Sequence, residues 1–158
     1  METVNQILLV DNQVASNTQT DSKIKKSGLT NKVKIALNGG HALLYLDQVQ
    51  EKLVNSSMVI LLNMDTPIMN GYEFITQYNS CKNLCREKIL VVVMNDNMNE
   101  ERMNALRTVG ITHFINRDFD PQVLGGMIRK YFAKAPASVK MKNNKMNNHD
   151  QMQSMRAA

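Results

Sequence analysis

Five short apolar runs punctuate the chain, and between them the apolar residues return every three or four positions. Gln6–Val10 (QILLV) and Met58–Leu62 (MVILL) are continuous, as is 88–94 (KILVVVM). Residues 32–37 (KVKIAL) alternate, and 112–116 (THFIN) form a fifth, shorter run. Continuous β-branched runs of this length suit strands buried on both faces. The intervening stretches predict helices. Residues 13–27 end at Gly28, a helix stop. Residues 41–54 carry Leu43, Leu44, Leu46, Val49 and Leu53 near helical spacing, and 71–85 carry Tyr72, Phe74, Ile75 and Tyr78 with a break near Asn79. Asn97, followed by Glu100, predicts a reciprocal cap opening a fourth helix that stops at Gly110. Asp120-Pro121 places a capping carboxylate before a proline at the first helical position, opening a fifth helix to Phe132.

The order is strand–helix five times over. It predicts an α/β fold: a five-stranded parallel sheet flanked by five helices in three layers, a flavodoxin-like (βα)5 sandwich. Working residues in such sheets lie at the carboxyl ends of the strands. That selects Asp11 and Asn12, the loop from Asn63 to Gly71, Asn95 and Asp96, and Arg117 and Asp118. From residue 135 the pattern stops, so residues 1–134 are expected to form one domain and residues 135–158 a disordered basic tail.

Composition adds exclusions. A chain of 158 residues with 43% hydrophobic and 21% charged residues fits one globular domain. No apolar run approaches the ~18 residues a membrane span needs, and the first ten residues lack the basic region of a secretion signal. The expected location is the cytoplasm. Cys81 and Cys85, four apart, suit one helix face, yet His41, His113 and His149 show no spacing that completes a zinc site. They read as reduced thiols. Of the formal charge of +5, residues 136–158 carry +3, through Lys140, Lys142, Lys145 and Arg156 against Asp150. A basic character concentrated in the tail is weak ground for a nucleic-acid-binding surface on the folded part.

Three segments carry a resemblance: ILLVDN at 7–12, VILLNMDTPIMNGYEF at 59–74 and FINRDF at 114–119. Together they resemble the receiver domains of two-component response regulators, over about residues 4–132. The middle segment is the specific part, since Pro67, Asn70 and Gly71 match the family's loop after the third strand. The resemblance implies phosphoryl uptake from a histidine kinase onto a carboxylate, helped by Mg²⁺, a lysine and a hydroxyl residue.

Residue by residue, that chemistry is depleted here. Asn63 stands at the phosphoacceptor position, and a neutral amide cannot form an acyl phosphate. Asp11 is kept, but Asn12 replaces the second acid of the pocket; Asp65 is a spare carboxylate two residues past Asn63. Asn95 falls at the hydroxyl position, Phe114 at the switch aromatic, Arg117 at the lysine, and Asp118 at the proline that follows it. Asp11 opposed by Arg117 leaves a charge-balanced pocket without metal, so Mg²⁺ binding is expected to be weak or absent, with no other cofactor. The Arg117 guanidinium is expected to reach Asp11 or Asp65.

The reading is a non-enzymatic pseudo-receiver that signals through protein–protein contact with a partner such as a histidine kinase or a downstream regulator. Its contact face would be built by the fourth helix, fifth strand and fifth helix: residues 101–108, His113 and 122–129. Three alternatives stay open: a receiver phosphorylated on Asp65, a nucleic-acid-binding module acting through the tail, and a small-ligand α/β enzyme.

Overall fold

A computed structural model describes residues 3–134. The expected disordered tail, 135–158, lies outside the described residues. The elements are β1 (Gln6–Val10), α1 (Val14–Ser27), β2 (Val33–Ala36), α2 (Gly39–Val49), β3 (Met58–Leu62), α3 (Gly71–Ser80), β4 (Ile89–Met94), α4 (Glu100–Thr108), β5 (His113–Ile115) and α5 (Pro121–Ala133). Short 3-10 turns at Lys52–Asn55 and Arg86–Lys88 precede β3 and β4. All strand pairs are parallel, and the sheet order is β2-β1-β3-β4-β5.

The strand period of two divides the core between the two faces of the sheet. Leu8, Val10, Ile60 and Leu62 face one side, where Leu46 of α2, Phe74 of α3 and Leu106 of α4 cover them. Ile7, Leu9, Val59 and Leu61 face the other, against Ile24 of α1 and Leu124 and Ile128 of α5. Every residue of β1 and β3 is buried, which is why, apart from Gln6 at the first position of β1, both read in the sequence as unbroken apolar runs.

Two helix starts differ from expectation. α2 begins at Gly39, not residue 41, because Asn38 accepts a hydrogen bond from the His41 N–H at 3.0 Å and caps the helix. Gly39 is required there by close packing: a Cβ would lie 2.9 Å from Met69 and from Phe74. α2 then ends at Val49, and Leu53 belongs to the separate 3-10 turn. α4 is capped by Asn99, which accepts from the Arg102 N–H at 2.8 Å. Asn97 is instead a loop residue whose N–H donates to Asn95 Oδ1 at 2.9 Å. Three asparagines at alternate positions compete for this cap, and the presence of Glu100 does not decide among them.

α3 ends at Ser80, so Cys81 and Cys85 do not share a helix face; both are free, half-buried thiols. Among the described residues no helix is long and apolar enough to cross a membrane.

Candidate functional site

The carboxyl ends of β1, β3 and β5 converge on Asp11. Its N–H bonds Ala36 O at 2.9 Å and the Asn63 N–H bonds Val10 O at 3.0 Å, so both residues continue the ladder one step beyond the strands and are held in register. Arg117 follows β5, and its N–H donates to Asp96 Oδ1 at 2.9 Å, which steers the guanidinium back over the sheet end.

Asp11 is fully buried, and its carboxylate meets three donors. Oδ2 accepts from Arg117 Nη1 in an ion pair. Oδ1 accepts from Asn63 Nδ2 at 3.2 Å and from the Gln13 N–H at 3.1 Å. A buried carboxylate without such partners is costly. Asn63 is itself buried, and its Oδ1 accepts from the Asp65 N–H at 3.2 Å. The amide is therefore used at both ends, as donor to Asp11 and as acceptor from the loop. A carboxylate at this position would lack the donor. Arg117 Nη1 also lies 3.3 Å from Ser16 Oγ on α1, and the Asp11 carbonyl accepts from Asn17 Nδ2 at 2.8 Å.

The remaining candidates lie elsewhere. Asp65 does not join an acidic pocket with Asp11: its side chain is 70% exposed and pairs with Arg102 on α4 at 3.9 Å. The turn that follows, fixed by Thr66 Oγ1 donating to Met69 O at 2.8 Å, carries the chain away from the strand end. Asn12 is exposed and forms no side-chain hydrogen bond among the described residues. Asn95 spends its side-chain oxygen on its own loop. Phe114 is half-buried in the core on the α2–α3–α4 side, under the Arg107 guanidinium at 5.5 Å. Asp118 is exposed, 3.6 Å from Lys23.

The supporting residues carry no signal in the sequence. Ser16 and Asn17 lie in α1, where polar side chains at helical spacing give no hint that Asn17 is buried. Lys23 gives none either: its ammonium donates to Phe119 O at 3.0 Å and sits 4.4 Å from the Phe119 ring, tying α1 to the start of α5.

The residues present do not fit a Mg²⁺ ion. Hard cations need several oxygen ligands, largely from carboxylates. Here one buried carboxylate is available, and an arginine holds one of its oxygens. Among the described residues no group of three or more His, Cys, Asp or Glu could hold a metal.

No family model matches the sequence, and no curated protein is significantly similar to it. The fold, however, is that of receiver domains. A two-component response regulator from Cytophaga hutchinsonii matches with a TM-score of 0.72 at 15% identity, covering 83% of this chain and 98% of that one. The receiver domain of a signal transduction histidine kinase from Syntrophus aciditrophicus matches at 0.64 and 16% identity, over 84% and 93% of the two chains. The chemotaxis protein CheY4 of Vibrio cholerae matches at 0.65 and 18% identity, over 81% and 98%. At these identities the likeness is one of fold.

Proposed function

We propose that this chain serves two-component signal transduction as a receiver-like binding module that accepts no phosphoryl group and performs no catalysis. The observation that carries the reading is the double use of the Asn63 amide, which donates to Asp11 and accepts from the Asp65 N–H. A receiver needs a nucleophilic oxygen at this position, with metal-neutralised carboxylates around it. This site offers an amide, and an arginine already balances the neighbouring acid. The depleted chemistry thus favours a signalling role through contact with protein partners in the cytoplasm, such as a histidine kinase or a downstream regulator.

The face of α4, β5 and α5 suits that role. Glu101, Asn104, Ala105 and Thr108 are exposed on α4, and Val123 is 53% exposed on α5. α4 is also anchored. Arg102 Nε donates to the Tyr72 hydroxyl at 3.3 Å, and Asn79 Nδ2 donates to Val109 O at 3.0 Å. A face built on an anchored helix fits a module held in one state.

The test is incubation with Mg²⁺ and acetyl phosphate, read by intact-protein mass. The expected result is no gain of a phosphoryl mass. A stable gain that disappears in Asp65→Asn would replace this reading with the alternative in which Asp65 is the acceptor.

A further inference from the structure

β2 is an edge strand with an unused side. The Ile7 N–H donates to Lys32 O at 3.0 Å and the Asp11 N–H to Ala36 O at 2.9 Å. Backbone groups alternate along a parallel ladder, so Lys34 and Ala36 face β1 while the N–H and C=O of Val33 and Ile35 point outward. Beside this edge lies a cleft of about 240 Å³ lined by Lys34, Ala36, His41, Leu44, Tyr45 and Gln48. Leu44, 63% exposed, gives the cleft an accessible apolar wall beside the Tyr45 ring, while Ile35, 38% exposed, lies on the other face of the strand.

We propose that the β2 edge accepts an extended, acidic segment of a partner protein as an added strand, with an apolar side chain of that segment seated in the cleft. Main-chain hydrogen bonds to Val33 and Ile35 set the register, and side chains on alternate positions supply selectivity. On the α2 side, one partner residue enters the cleft between Leu44 and Tyr45. The residue two positions away meets Lys34 and His41.

Charge selects the occupant. The Lys34 ammonium lies 5.5 Å from the Tyr45 ring, and neither it nor the Lys32 ammonium has a carboxylate partner among the described residues. A second copy of this chain, paired edge to edge, brings the same lysines against each other. The chain's own residues 136–158 carry four basic side chains against one acid, the wrong sign for this edge. Lysine on an edge strand guards against indiscriminate pairing. The same charge admits an acidic strand, so the guard and the selectivity come from one residue. This surface is separate from the α4–β5–α5 face, and its test does not depend on the Asn63 site.

The test titrates the isotope-labelled full chain with blocked eight-residue peptides and follows backbone amide shifts. One peptide repeats Val-Thr-Glu-Thr, so that valine and glutamate alternate along one face of the strand, a second has lysine in place of each glutamate, and a third is the acidic peptide N-methylated at alternate amides. The expected result is saturable shifts confined to residues 32–37 and 41–48 with the acidic peptide alone, weakened at least about tenfold by Lys34→Glu. The proposal is overturned by no response, by an equal response to the lysine or N-methylated peptide, or by no effect of Lys34→Glu. Concentration-dependent shifts of the same residues without peptide would overturn it in favour of a second copy.

Discussion

The Arg117 guanidinium and the Asp11 carboxylate, 106 residues apart in sequence, form an ion pair at the carboxyl end of the sheet, with Asp11 wholly out of solvent and Arg117 only 22% exposed. The pair joins β1 to the end of β5, and Ser16 adds a contact to α1. Such a pair is weak ground for net stability, because desolvation offsets the Coulomb gain, but losing one partner strands a buried charge. Arg117→Met is therefore expected to cost about 3–5 kcal/mol. Asp11→Asn combined with Arg117→Met is expected to recover much of that loss. Urea unfolding of the single and double variants measures the difference, and additive losses would contradict the pairing.

Asn63→Asp tests the amide itself. The substitution replaces the Nδ2 donor, 3.2 Å from Asp11 Oδ1, with a second carboxylate oxygen facing the first. Loss of the hydrogen bond and like-charge repulsion together are expected to destabilise the fold by about 1–3 kcal/mol at pH 7. The neighbouring acid raises the new carboxyl's pKa in the folded state. The penalty is therefore full at neutral pH and fades as pH falls and the new group takes up its proton. Denaturant midpoints at pH 7 and pH 4 check the sign: the gap to the parent protein should narrow in acid. The variant should also gain little phosphoryl transfer, since Arg117 still holds Asp11.

The legibility of this protein followed burial. β1 and β3 were readable to the residue because helices cover both of their faces, and their sequences carry no polar interruption. β2 is shorter than its alternating pattern suggests, because an edge strand with Lys34 and Ile35 exposed blurs into its loops. The starts of α2 and α4 are less legible, because the pattern of apolar residues does not mark the cap: Asn38 turns back to the His41 N–H two glycines before the apolar run, and Asn99 rather than Asn97 caps α4. At the site, the resemblance puts Arg117 at a strand end beside the pocket acids, and its charge then points it to Asp11 or Asp65. Charge does not tell Asp11 from Asp65, since the direction of Asp65 is set by the Thr66–Met69 turn.

His113 is expected to give the fold a pH dependence at the opposite end of the sheet. It is half-buried, packs edge-on against Tyr131 at 5.9 Å, and approaches Thr112 Oγ1 through Nδ1 at 3.0 Å. Burial, then the nearby Lys134 and Lys130, lowers its pKa below the ordinary histidine value. The unfolded chain thus binds the proton more readily than the folded one. Its contribution is present above the ordinary histidine range and is lost as pH falls through the lowered folded-state value. His113→Gln is expected to flatten the dependence of stability on pH across that window. Thermal midpoints measured from pH 7 to pH 5 decide it, and parallel curves for parent and variant would contradict the assignment.

Ile68 is the described non-glycine residue with a left-handed backbone, at φ 68°, and it is 91% exposed. A β-branched side chain is poorly tolerated there, because Cβ and its branches crowd the following peptide. Strain of this kind costs on the order of 1–3 kcal/mol, and exposure at Ile68 returns almost no burial to offset it. The turn persists because its neighbours determine it: Thr66 bonds Met69 O, Met69 O also accepts from the Gly39 N–H at 3.0 Å, and Gly71 lets α3 approach Met64. Asparagine adopts the left-handed region readily, so Ile68→Asn is expected to raise stability by about 1 kcal/mol while leaving the loop unchanged. Denaturant unfolding measures the gain. A loss of stability instead would mean that the isoleucine side chain contributes packing that its exposure does not reveal.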